Sequence, residues 1–209
     1  MPKDPQQRIS TSKAIAELAP NPPDNAFVCF TDGSAIPNPG PTGAGIHGTL
    51  PITRDNEDGS PDSFHLSVAL GAGDNNLGEF YAIFAALRMA EALLSGCALP
   101  PPILIFTDSL LSICFLLHGW TMKNQLEIAS HTRSLIRRMR KRFSIRLYWV
   151  RGHSKVPRNE IADALAKDGA HRNTGSSHSP ASPGISFSEG SSWSLEECNR
   201  FTPFLCAPI

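Results

Sequence analysis

The chain has 209 residues and carries 19 Lys and Arg against 19 Asp and Glu, a formal net charge of zero. That length holds one ordinary domain with tails or at most two very small domains, and the neutral balance by itself says nothing about a polyanionic partner. Apolar residues make up 41% of the chain, yet the longest apolar runs, Pro100–Phe106 and Ile113–Leu117, fall far short of the ~20 residues of a membrane helix.

Residues 1–25 are rich in Pro, Asn, Ser and Gln and read as a flexible leader without the apolar core of a secretory signal. A β-rich run, Phe27–Phe30, stops at Thr31-Asp32-Gly33-Ser34 and turns through Ile36–Pro41. Small-residue and alternating segments at Ala44–Leu50 and Ser63–Leu70 complete an expected three-strand meander. Glu79–Leu94 then repeats Phe80, Ile83, Phe84, Leu87, Ala90 and Leu94 at helical spacing. Three prolines, Pro100–Pro102, reset the chain to extended. Ile103–Phe106 shows no alternation, as a strand buried on both faces should. Asp108 or Ser109 can cap a helix to about His118. A second helix is expected over Asn124–Lys141, a strand over Ile145–Val150 and a last helix over Asn159–Ala170. The order βββαβααβα implies an α/β fold, a five-stranded mixed sheet flanked by helices. From His171 the composition turns to Ser, Gly, Pro and Asn, so 171–209 reads as a low-complexity tail. Ser194 and Glu197 there fit a capping box for a short docked helix.

Five scattered cysteines, an odd number with no zinc-like spacing, read as reduced thiols of an intracellular protein, nuclear or cytoplasmic. A monomer without membrane attachment is expected. Ten of the 19 cationic residues fall between Ile128 and Asn159, where there is no acid. Such a segment suits either a phosphate backbone or a solvated helix face.

Four carboxylates sit at element ends: Asp32 closing the first strand, Glu79 opening the first helix, Asp108 closing the fourth strand and Asp163 in the first turns of the last helix. Strand ends and helix starts converge at one edge of a sheet, where uncompensated carboxylates would repel and their pKa values would rise. Hard divalent cations resolve that repulsion. Two Mg²⁺ ions ~4 Å apart can serve an in-line phosphoryl displacement. Singly, each acid is as well explained as a turn, cap or surface residue.

Together with their flanks, these residues resemble ribonuclease H of type 1, including the ribonuclease H domains of retroelement polymerases. The matching pieces are Phe30-Thr31-Asp32-Gly33-Ser34 with Asn38-Pro39-Gly40, Asn75-Asn76 ahead of Glu79, and Phe106-Thr107-Asp108-Ser109. A long tract follows, Trp149-Val150-Arg151-Gly152-His153-Ser154 and Asn159-Glu160-Ile161-Ala162-Asp163-Ala164-Leu165-Ala166. The resemblance covers about residues 26–170 and implies a ribonuclease H-like fold. It implies Asp32, Glu79, Asp108 and Asp163 as ligands of two Mg²⁺ ions, Asp32 bridging them, with Mn²⁺ able to substitute. It implies His153 as a proton shuttle or product-release aid on a loop, a task that suits an imidazole. Gly33, Ser34, Asn38, Asn75, Asn76 and Ser109 would contact an RNA/DNA hybrid, whose 2′-hydroxyls mark the RNA strand.

The sequence departs from that pattern at Leu110, at Gly78, which is expected to loosen the helix start at Glu79, and at Lys155-Val156-Pro157-Arg158 after His153. The basic, Trp-rich insertion of many cellular members is absent: His118-Gly119-Trp120-Thr121-Met122-Lys123 runs directly to the next helix. That resembles retroelement-type domains, which bind substrate with help from a polymerase or another domain, and the Arg137–Arg142 cluster is a candidate substitute. The expected activity is endonucleolytic cleavage of the RNA strand of a hybrid. The alternative is a non-catalytic or partner-dependent hybrid-binding module derived from a retroelement. A DEDD-type exonuclease fits less well, because Ser34 stands where its first motif needs Glu.

Overall fold

Alternate residues of the apolar runs face two different cores. Phe27 and Cys29 join one buried cluster while Val28 and Phe30 join another, and Ile103 and Ile105 divide from Leu104 and Phe106 in the same way. Both faces of the sheet are therefore covered, which is why these strands lack a polar side. The computed structural model describes residues 15, 17–52, 61–121, 127–172 and 184–187. Its elements are β1 (Phe27–Ala35), β2 (Gly40–Thr49), β3 (Ser63–Gly73), α1 (Asn75–Leu93), β4 (Ile103–Thr107), α2 (Leu110–His118), α3 (Glu127–Met139), β5 (Ile145–Trp149), α4 (Pro157–Arg172) and β6 (Gly184–Phe187). The sheet runs β5-β4-β1-β2-β3-β6. β1, β2 and β3 form the antiparallel meander, and β4 and β5 add in parallel beside β1.

The expected five-stranded mixed sheet is present, with one addition. β6, in the tail expected to be unstructured, pairs antiparallel with β3 from Phe64 to Ser67 and covers that edge. The helix expected near Ser194 and the first residues of the helix expected from Asn124 lie outside the described residues. Part of the expected loose leader is packed: Ile15 and Leu18 lie against the second core and Ala19 is buried in it. Ala19 N donates to Ile15 O at 2.9 Å, closing one helical turn.

The first core holds α1, α2 and α3 against the sheet through Phe80, Ile83, Leu87, Phe115, Ile136 and Met139. On the other face α4 comes unusually close. A Cβ on Gly45 of β2 would lie 2.1 Å from Ala162 O, and one on Gly43 would lie 2.2 Å from Ala166 O. Ala162, Ala166 and Ala170 are wholly buried on the matching side of the helix. Beside this contact an aromatic row crosses the sheet in register: Tyr148, Phe106, Phe30, His47 and His65 occupy adjacent positions on β5, β4, β1, β2 and β3. Phe30 stacks on Phe106 at 4.7 Å and His47 on His65 at 4.9 Å.

His47 is 6% exposed and its Nδ1 has no hydrogen-bond partner. Burial, then the neighbouring His65 and Arg158, push its pKa down to about 4. Its neutral form is the one that folds, so the stabilisation is complete above the free-imidazole pKa near 6.5 and is lost as pH falls toward 4. The thermal midpoint should drop over that window, and His47→Phe should flatten the drop, read by melts at fixed metal and salt. Gly45→Ala should cost about 2 kcal/mol or more in denaturant unfolding, because backbone and not a flexible side chain meets the new methyl.

Candidate active site

The site sits where β4 stops and β1 does not. Thr31 is the last β1 residue paired with β4, opposite Thr107, while pairing with β2 continues through Asp32–Gly45 to Ala35–Thr42. Asp32 therefore lies within its strand, not at its end as its turn-like flank suggested. It is the first β1 residue beyond β4 and stands beside Asp108, the first residue after β4.

Glu79 reaches the pair through another close backbone contact. A Cβ on Gly33 would lie 2.2 Å from Glu79 N, and one on Gly78 would lie 2.8 Å from Gly33 Cα. α1 starts a turn earlier than expected, capped by Asp74, whose side chain accepts from Leu77 N at 2.9 Å. Gly78 thus does not loosen the helix start: it lets an already formed helix press on β1.

Oxygens of Asp32, Glu79 and Asp108 lie within 4.8 Å of one another. Gly33 N donates to Asp32 Oδ1 at 2.8 Å and Thr107 Oγ1 to Glu79 Oε2 at 3.4 Å. The indole N–H of Trp149 donates to Asp108 O at 2.9 Å, fixing that turn. Asp163 falls in a second, adjoining group with His153 and Glu160, also within 4.8 Å. Lys167, one turn further along α4, donates to Asp163 Oδ2 at 2.6 Å. His153 is exposed and has left-handed backbone, φ 51°.

Burial, then the Asp108 charge, raises the pKa of Asp32 to about 7. Burial and the same two neighbours hold Glu79 well above the carboxylate range. Burial raises Asp108, with His153 drawing it partly back. Two or more charges in this space need a counterion. Clustered carboxylate oxygens are the donors hard divalent cations prefer, so the residues fit such an ion.

The residues expected to meet a hybrid line the rim beside Glu79. Asn75 Oδ1 accepts from Ala35 N at 2.7 Å, and Asn38 Oδ1 accepts from Asn75 N at 3.3 Å. Asn38 and Asn75 are exposed, Asn76 and Gly33 partly so, and Ser34 is buried. The Ser109 side chain caps α2, accepting from Ser112 N at 3.3 Å.

The Arg137–Arg142 cluster does not adjoin these carboxylates. Arg142 donates to Ser95 O and Cys97 O at 2.7 and 2.8 Å, and Arg138 pairs with Glu91. Glu91 sits in the last turn of α1, roughly 18 Å along the helix from Glu79, and Ser95 and Cys97 follow just beyond that end. Arg133 donates to Phe115 O and Trp120 O and lies over the Phe115 ring. Arg133 and Arg142 thus close helix ends, and Arg138 ties α3 to α1. Sequence reasoning also passed over Glu160 and Lys167, although their spacings from Asp163, one turn before and one after, put all three on one helix face.

The family model described as RNase H matches residues 24–171. Ribonuclease H of Parvibaculum lavamentivorans is 34% identical over 149 residues, covering 67% of this chain and 89% of that protein. RNase H1 of the archaeon Halobacterium salinarum has a similar fold, with TM-score 0.52 and 24% identity over 70% of this chain and 98% of its own. LC11-RNase H1, from compost metagenomic material and solved in complex with an RNA/DNA hybrid, gives 0.54 and 20% over 71% and 99%. With its carboxylates gathered at the end of β4 and the family's pattern running from the leader to α4, the chain belongs to the RNase H family.

Proposed function

We propose that the chain is a Mg²⁺-dependent endonuclease that hydrolyses the RNA strand of RNA/DNA hybrids, leaving 5′-phosphate and 3′-hydroxyl ends. One observation carries this reading: oxygens of Asp32, Glu79 and Asp108 lie within 4.8 Å, buried or half-buried, at the open end of the sheet. The hybrid bound by LC11-RNase H1, a protein of the same fold, supports the substrate class. Asp32, Glu79 and Asp108 would hold the ions, with Asp163 completing the set from α4 and Mn²⁺ a workable substitute. When bound, two such ions supply an activated water and neutralise charge at the leaving oxygen.

The chain's own residues do the remaining work. The Gly33–Gly78 contact and the Trp149 bond fix the carboxylates, so little reorganisation is needed when charge develops. Lys167 holds Asp163 in place through their 2.6 Å pair. His153, beside Glu160 and Asp163 and open to solvent, can pass a proton to or from the departing product. Asn38, Asn75, Asn76 and the backbone of Gly33 and Ser34 present polar groups to the hybrid's minor groove, where 2′-hydroxyls distinguish the RNA strand.

Wild type with Mg²⁺ should cut an end-labelled hybrid internally and leave the matching RNA and DNA duplexes intact. Asp108→Asn should lower the rate by about a thousandfold or more while the thermal midpoint stays within a few degrees. Absence of RNA cleavage by wild type, even at high enzyme concentration, would sink the reading. Metal uptake must displace the proton held by Asp32 below pH 7. Mg²⁺ affinity should therefore rise with pH from about 6 and level off above about 7.5, with proton release seen by calorimetry in buffers of different ionisation heat.

A further inference from the structure

The acid-free segment between Ile128 and Asn159 divides in the fold. Arg133, Arg138, Arg140 and Arg142 are engaged with carbonyl oxygens or Glu91. Lys141, Arg146, Arg151 and Lys155 are exposed, and their side chains make no hydrogen bond or ion pair among the described residues. These four follow the chain through one place in the fold, the outer edge of β5. β5 is an edge strand, paired only with β4 among the described strands. It begins at the far end of the sheet, opposite Ile103, and finishes with Trp149 opposite Thr107, next to Asp108. Val150 N extends that pairing to Thr107 O at 3.0 Å, which sets Arg151 at the active-site end. Arg146 to Arg151 spans about 16 Å of extended chain. Lys141 prolongs the line at one end, and Lys155 lies on the His153 turn at the other.

We infer that the β5 edge is a phosphate track for the nucleic acid strand entering or leaving the active site. Along a duplex axis the span matches the rise of about five nucleotides at 3.4 Å each. The track stands in for the basic insertion: only residues 119–126 separate α2 from α3, and within the Arg137–Arg142 cluster Arg138, Arg140 and Arg142 are engaged by Glu91 and by carbonyl oxygens. The proposal rests on the ribonuclease H reading for the identity of the strand. It requires only that a polyanion follow this edge.

The test measures binding apart from cleavage. Full-length Asp108→Asn protein is titrated by fluorescence anisotropy with hybrids of about 6 and about 18 base pairs over a salt series. The same is done with Lys141→Glu/Arg146→Glu in that background, and with Lys141→Gln/Arg146→Gln in case charge reversal disturbs folding. The long hybrid should bind the parent about tenfold tighter than the short one. Either double variant should erase most of that advantage and lower the slope of log affinity against log salt by about 1.8, for two lost phosphate contacts. An unchanged length advantage and slope in the Gln variant would overturn the track, leaving these charges as guards against edge pairing. Failure of wild type to cleave any hybrid would count against the ribonuclease H reading instead, and the binding titration would still decide the track.

Discussion

Three carboxylates cannot share a space 4.8 Å across, mostly out of water, without a counterion or shared protons. The surrounding structure keeps them there regardless. β4 stops one residue short of Asp108 while β1 continues, which opens a notch in the sheet instead of a flat edge. The opposing pushes on the site all come from this crowding. Burial raises Asp32, Glu79 and Asp108, while main-chain N–H groups, His153 and, for Asp32, a hydrogen bond with Glu79 pull the other way. A site in that state is built to receive cations, and its folded form without them holds protons near neutral pH.

The crowding is enforced by backbone contacts rather than by large side chains. Gly33 meets Gly78 and the N–H of Glu79, while Gly43 and Gly45 meet α4 backbone at Ala162 and Ala166. Each contact brings a helix to the sheet without an intervening Cβ, which presses α1 and α4 onto strands β1 and β2 from opposite faces. The acids on those helices are then positioned by rigid elements, to a precision that loops seldom give. Phe30 stacked on Phe106, and Phe106 on Tyr148, stiffen the same region from below.

Cationic residues show how one composition can serve two purposes. A guanidinium carries five donors, and at the end of a helix the unsatisfied carbonyls are nearby acceptors. Arg142 finds two of them after α1, and Arg133 finds Phe115 O and Trp120 O at the end of α2. Charge that looks free in the sequence is therefore partly consumed in joining α1, α2 and α3 together. Of the exposed cations, Lys141, Arg146, Arg151 and Lys155 follow the course of β5.

The element order, the two-faced burial of Phe27–Phe30 and Ile103–Phe106 and the identities of the four acids were legible in the sequence, because periodicity and local motif spacing are properties of neighbours along the chain. The extent of β1 was not. Thr31-Asp32-Gly33-Ser34 has the composition of a turn, and only its pairing with Gly43–Ile46 of β2 keeps it extended. The role of Gly78 was hidden for the same reason, since what it touches, Gly33, is 45 residues away. Glu160 and Lys167 stood in view, yet they acquire meaning only once α4 is laid across β2 and Asp163 faces Asp32. The strand at Gly184–Phe187 pairs with an edge that its own composition does not announce. Local motifs were enough to single out the groups proposed for the chemistry; which of them meet depends on backbone approach between distant elements, and no local pattern records that.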